Sequence, residues 1–181
     1  MDTFSSIISA LFFVLGISAL LSIVITSWRN GISPTPTSVP VRHAAMAELR
    51  RIGGITNIVE AGSGWGTLAL QAAKINPSWN IVGIENSHIP LAVSRLTARW
   101  SSVRNVSFIR GDLYKYPYGK ADAVICYLFP GAMKRLDPLF REELTAGTSV
   151  ISICFALPGW TPDRIVTCRD MYRTKIYIYK K

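Results

Sequence analysis

Four residues at every second position, Glu60, Gly62, Gly64 and Gly66, constrain this chain more than any other feature. They follow a short apolar run, residues 55–59, and precede an Ala- and Leu-rich stretch of helical character, residues 67–75. Glycines between a strand and a helix let the backbone turn tightly and let a ligand approach the main chain. Strand-like segments recur at 80–84, 106–109, 121–128 and 149–155, and helix-like segments at 44–51, 89–100 and 132–144. Two late strands, 164–168 and 175–179, have no helix-length segment between them. Apolar strands alternating with helices predict an α/β fold: a Rossmann-like, doubly wound, mostly parallel sheet. The late pair predicts an antiparallel C-terminal edge hairpin. Residues 44–181 suffice for one such core.

A different constraint governs the start of the chain. Between Thr3 and Trp28 there is no charged side chain. Within it, residues 7–25 form an apolar run whose helix would span about 28 Å, close to the hydrocarbon thickness of a bilayer. Trp28 stands where an interfacial aromatic would anchor it. Residues 1–28 are therefore expected to form a single transmembrane anchor. A cleaved signal peptide would need a positive leader, and only Asp2 precedes the run. A buried core helix would be shorter. Arg29, Arg42, Arg50 and Arg51 follow, and this asymmetry places the C-terminal domain on the cytoplasmic side.

The chain has 181 residues and a net charge of +9, yet only 17% of residues are charged. The imbalance is segregated: all 20 basic residues and 10 of the 11 acids follow the uncharged run. That excludes a disordered basic tail, which would be poor in apolar residues. The basic residues are dispersed rather than clustered, so nucleic acid is disfavoured, and anionic lipid headgroups explain the charge equally well. The three cysteines, Cys126, Cys154 and Cys168, form no CxxC pair, which predicts reduced structural thiols. His43 and His88 lack partners at ligand spacing, so no metal is expected. Residues 29–43 hold Gly31, Pro34, Pro36 and Pro40, which predicts a stiff proline-rich linker.

Two further acids follow strands. Glu85 ends the second, where an acid can accept both ribose hydroxyls. Asp112, in Gly111-Asp112-Leu113, follows the third, where an acid can accept from an adenine amino group. A nicotinamide-binding turn would carry G-x-G-x-x-G, but position 67 is Thr67. E-x-G-x-G-x-G is the pattern of S-adenosylmethionine enzymes. Glu60, Gly62, Gly64, Gly66, Glu85, Asp112 and Leu113 are thus the expected cofactor contacts.

On these residues the chain resembles the class I, seven-strand S-adenosylmethionine methyltransferases, from about Ser33 onward. More narrowly it resembles the small membrane-attached protein-lysine methyltransferases related to the enzyme that modifies the ATP synthase c-ring protein. The resemblance rests on Pro34-Thr35-Pro36, Ala98-Arg99-Trp100, the stretch from Tyr127 through Phe129 to Met133, and above all Phe155-Ala-Leu-Pro-Gly-Trp160 with Pro162 and Asp163. Many members carry Asp where this chain has Glu60. The resemblance implies that the proline–threonine segment helps cover the cofactor, with Thr35 in contact. It also implies a protein substrate with an accessible lysine, membrane-associated in that group.

Lysine methylation needs a neutral amine in a dry channel, and desolvation lowers a lysine pKa. Aromatic faces also attract the ammonium and its methylated products. Tyr127 is expected to position the amine, with Phe129 and Trp160 as walls and Phe155 nearby; plain core packing is the other reading of these rings. No Asp-Pro-Pro-Tyr motif follows the fourth strand, which argues against amide or base amines as acceptors. The rival functions are a lipid or quinone methyltransferase, a nucleic-acid methyltransferase, and a module that binds the cofactor without turnover.

Overall fold

The alternation of side chains along each strand decides the layers. Ile58, Ile81, Ile125 and Ile151 face one helical layer, while Val59, Ile84, Val124 and Val150 face the other. Both faces are therefore covered, as a parallel sheet requires. The computed structural model describes residues 2–31 and 35–181. Its elements, in chain order, are α1 (Asp2–Asn30), α2 (Val39–Arg51), β1 (Asn57–Ala61), α3 (Thr67–Ile75), β2 (Asn80–Glu85), α4 (His88–Trp100), β3 (Val106–Arg110), β4 (Ala123–Cys126), α5 (Pro130–Glu143), β5 (Ser149–Ile153), β6 (Arg164–Thr167) and β7 (Lys175–Lys180).

Among the described residues the sheet has seven strands in the order β3-β2-β1-β4-β5-β7-β6. Strands β1 to β5 pair in parallel, and β7 runs antiparallel between β5 and β6. The late hairpin thus inserts its second strand into the sheet, leaving β6 at the edge and parallel to β5. One layer is built by α2, α3 and Leu91 of α4. The other is built by α5, through Ala132, Met133, Leu136 and Phe140, together with Tyr118. Tyr118 is fully buried, and its hydroxyl donates to the Leu113 carbonyl at 2.8 Å, tying the segment after β3 into that core.

Several boundaries differ from the sequence reading. The segment before the domain is not a linker throughout: α2 starts at Val39 rather than at residue 44, with Pro40 in its first turn. Proline is tolerated there because the first amides of a helix have no intrahelical acceptor. The first strand lies two residues later than the apolar run, and β4 is shorter than residues 121–128 because Tyr127 has already left the sheet. Pro34 of the lead-in lies outside the described residues. Buried Glu48 of α2 pairs with Arg164 of β6 at 3.2 Å, joining the domain's first helix to its edge strand.

The apolar segment is one helix, and Phe4–Trp28 is long and apolar enough to cross a membrane. Ala19, Ser22, Ile23, Thr26 and Ser27 are half-buried. They recur at helical spacing, so they form a single face. Helix α1 touches α4. Most of its remaining apolar side chains are exposed. Gly31, with φ +70°, follows α1, the left-handed conformation common after helix ends.

The close fit of loop to sheet generates a test. Gly66 has φ +75°, and a Cβ there would stand 2.5 Å from the Phe108 ring. We expect Gly66→Ala to cost about 2–4 kcal/mol in denaturant unfolding, from strain and overpacking together. An unchanged midpoint would show that the loop has room to relax.

Candidate functional site

The carboxyl ends of β1, β2 and β3 converge on a cavity of about 410 Å³. Crevices of this kind, outside the carboxyl ends of parallel strands, are where such sheets bind ligands. Glu60, Gly62, Gly64, Glu85, Asp112, Leu113, Thr35 and Phe129 all line it. Gly66 does not line it; it sits beneath, against Phe108 and Ser94. Gly62 has φ +75°, and a Cβ there would fall 2.6 Å from Leu128, which also lines the cavity.

Two buried carboxylates organise the loop. Glu60, only 4% exposed at the end of β1, accepts the Ala69 amide at 2.9 Å. Ala69 lies in the first turn of α3, whose preceding residue is Gly66 and offers no side-chain cap. The strand carboxylate therefore supplies the acceptor that the helix start lacks. Glu85, 7% exposed at the end of β2, accepts Gly64 N–H with one oxygen and Ser87 N–H with the other, both at 2.8 Å. It clamps the glycine loop to the neighbouring strand's exit. Asp112 is exposed and accepts the Tyr114 amide at 2.9 Å.

Burial raises the Glu60 carboxyl pKa to about 8, with the Ala69 amide opposing and the nearby Glu85 charge adding. A carboxyl so displaced is matched to a cation that would restore its charge. Ser63, 5% exposed and lining the same cavity, has a buried hydroxyl oxygen that finds no hydrogen-bond partner among the described residues. An orphaned hydroxyl and a carboxyl short of a counter-charge suit a polar, cationic ligand.

The sequence reading missed several lining residues. Thr37 is buried beside Thr35, two positions further into the lead-in. Ser63 stands within the loop, between two of its glycines. Arg135 of α5 stacks its guanidinium 3.7 Å from the Tyr114 ring centroid, and both line the cavity. Only the fold brings α5 to that rim, so no local signal in the sequence marked Arg135.

The four aromatics expected at one mouth, Tyr127, Phe129, Phe155 and Trp160, are divided. Phe129 lines the cavity and packs on the α5 side of the sheet. Its ring fits between two glycines: a Cβ on Gly31 or Gly131 would stand 3.0 or 2.6 Å from it. Tyr127 packs on the opposite side, against the core formed by α2 and α3. Its phenol pKa is raised, mainly by burial, with Cys154, Asp170 and Cys168 adding. Strand alternation would put residues two apart on one face, but β4 ends at Cys126 and Phe129 is already the cap of α5, so the two part, and Tyr127 does not line the cavity.

Trp160 requires a correction of place. It also does not line the cavity. Its indole N–H donates to Asp137 of α5 at 2.6 Å, its ring meets Tyr179 of β7 edge-on at 6.0 Å, and Arg141 lies 5.2 Å from the ring centroid. The chain turns at Gly159, with φ +67°, and carries the indole onto α5 and β7. Phe155 packs on the same side without lining the cavity. Among the described residues no group of three metal-ligating side chains occurs.

Sheet order, glycine loop and acids at successive strand ends define a class I S-adenosylmethionine-dependent methyltransferase. The chain belongs to the ANTKMT methyltransferase domain family, whose profile matches residues 60–164. It is 27% identical over 150 residues to a protein-lysine N-methyltransferase of Saccharolobus islandicus, covering 81% of this chain and 90% of that protein. It is 27% identical over 157 residues to the adenine nucleotide translocase lysine N-methyltransferase of Mus musculus, covering 79% of this chain and 67% of the mouse protein. Among solved structures, a Salinibacter ruber RNA methyltransferase in complex with S-adenosyl-L-homocysteine superposes with a TM-score of 0.72 at 31% identity. That match covers 81% of this chain and 93% of the other. The cofactor is S-adenosylmethionine.

Because folding raises the Glu60 pKa from 4.5 to about 8, the folded protein holds a proton there that the unfolded chain has released. Its contribution to the stability of the ligand-free protein is full below pH 4.5 and is lost as pH rises toward 8. We expect the opposite sign for cofactor binding: a cation placed on Glu60 would displace that proton, so affinity would rise with pH up to about 8. Calorimetry in buffers of different ionisation heat checks this. Proton release that persists in Glu60→Gln would assign it to another group. For Trp160→Phe we expect a stability loss of about 1–2 kcal/mol, from the lost hydrogen bond, and unchanged cofactor affinity. A methyl-transfer rate lowered at full cofactor occupancy would return Trp160 to the acceptor channel.

Proposed function

We propose that this protein methylates a lysine side chain of a membrane-associated protein, with α1 as a single-pass anchor and the domain on the cytoplasmic or equivalent face. The observation that carries the lysine reading is the similarity to two proteins named as lysine N-methyltransferases, one matched over 90% of its length. The membrane reading is supported by Phe4–Trp28 and by the concentration of all basic residues after it. Anionic headgroups would then face a domain of opposite charge.

S-adenosylmethionine supplies an electrophilic methyl group when bound. In this reading Glu60 takes the cofactor's ammonium, while Glu85, already fixed by two amides, takes the ribose hydroxyls with its remaining lone pairs. Asp112 accepts from the adenine amino group beside Leu113. The backbone at Gly62 and Gly64 comes close to the ligand, and Gly66 lets the loop turn into α3. Thr35 and Thr37 cover it from the lead-in. Phe129 walls the route to the methyl group and excludes water. Tyr127, on the far side of the β4 exit, positions the incoming amine. The chain's task is alignment and desolvation, since in-line transfer needs no activation of the leaving group.

A second reading is favoured by one observation: the 31% identical solved structure carries the name of an RNA methyltransferase. The two readings separate on labelling. The full chain is incubated with radiolabelled cofactor and with membrane-protein, lipid and RNA fractions. Label on lysine, mapped by mass spectrometry, is the expected result. Label confined to RNA or lipid would overturn the lysine reading, and cofactor binding without label anywhere would leave a binding module. Tyr127→Phe and Phe129→Ala are expected to lower kcat/KM about tenfold or more with little change in cofactor affinity. Equal turnover in both variants would remove these residues from the acceptor path.

A further inference from the structure

The β6–β7 turn carries a feature that the methyl-transfer chemistry does not use. Met171 and Tyr172 are 85% and 82% exposed. Arg169, Arg173 and Lys175 beside them are exposed as well. The acid among them, Asp170, is turned inward: its carboxylate accepts the Thr174 amide at 2.7 Å and the Thr174 hydroxyl at 2.6 Å. Further backbone bonds close the turn, from Cys168 N–H to Thr174 O and from Arg173 N–H to Asp170 O. Arg173 has φ +49°, the left-handed conformation such a turn needs. This is a fastened structure whose outward side chains are two apolar groups and three cations.

Its place in the fold matters. Strand β6 runs parallel to β5, so the turn leaves the sheet at the carboxyl ends of the parallel strands, where the cavity opens. It stands beside Tyr127, within electrostatic reach of Asp170. The end of α1 reaches the same end of the sheet, with Gly31 against Phe129.

We infer that this turn is a second membrane contact: Met171 and Tyr172 enter the interface of an acidic bilayer while Arg169, Arg173 and Lys175 meet its phosphates. The inference rests on the reading of α1 as an anchor and deepens it, because two contacts fix an orientation that one helix leaves free. Apolar and aromatic tips ringed by cations suit the headgroup region. The outward charge is all positive, complementary to acidic lipid. The acceptor route beside Tyr127 then opens at the membrane surface, so the lysine it admits lies at headgroup depth.

The test uses the full chain in nanodiscs of phosphatidylcholine, with and without phosphatidylglycerol. An environment-sensitive fluorophore is placed by Met171→Cys, with the unsubstituted chain labelled in parallel to correct for Cys154. Quenching by doxyl-labelled lipid is expected in the acidic discs, and Arg169→Gln with Arg173→Gln should weaken docking about fivefold for each charge removed. Tyr172→Ser should also reduce it. Cofactor binding, unchanged in all these variants, verifies their folding. A chain that fails to incorporate into discs of either composition would sink the anchor reading and this inference with it. Incorporation with a probe that stays in water would overturn the turn contact alone. Protection that appears only when an acceptor membrane protein is added would assign the surface to protein rather than lipid.

Discussion

Two buried carboxylates bonded to backbone amides hold this site together. Glu60 completes the start of α3, and Glu85 fastens the glycine loop to the exit of β2. All three bonds lie within the protein itself, so its own carboxylates set the shape of the loop. The glycines are the counterpart of that arrangement. The loop lies so close to Phe108 and Leu128 that side chains at Gly66 and Gly62 would collide with them. The raised Glu60 pKa follows from the same burial.

The site also depends on what lies ahead of the domain. Thr35 and Thr37 line the cavity, and Gly31 rests on Phe129. The end of α1, the lead-in and the aromatic wall are thus in contact within a few residues. A helix that fixes the protein at a bilayer would place its own end at the mouth of the cavity. Together with the β6–β7 turn, the proposed anchor would give the domain a defined face toward the membrane.

The features legible in the sequence are those governed by local chemistry. Strand–helix alternation, glycine spacing and acids at three strand ends depend on neighbouring residues, and the cavity gathers Glu60, Glu85 and Asp112. Helix 67–75 needed no adjustment because its Ala- and Leu-rich face is unambiguous. What was not legible depends on distant packing. Tyr127 and Phe129 are two residues apart yet pack on opposite faces, since their placement follows from where β4 ends. Trp160 stood at the right distance after the fifth strand, but Asp137 and Tyr179 hold it elsewhere. Arg135 reaches the cavity from α5, whose seat on the sheet is set by tertiary packing, and the insertion of β7 ahead of β6 could not be read from a hairpin's length alone.

The most direct measurement is a crystal structure of the full chain with S-adenosyl-L-homocysteine. The ligand's amino group is expected on the Glu60 carboxylate and its ribose on Glu85, with the Gly64 and Ala69 amide bonds unchanged. A ligand bound elsewhere, or a loop that must break those amide bonds to admit it, would contradict the claim that the two carboxylates shape the site.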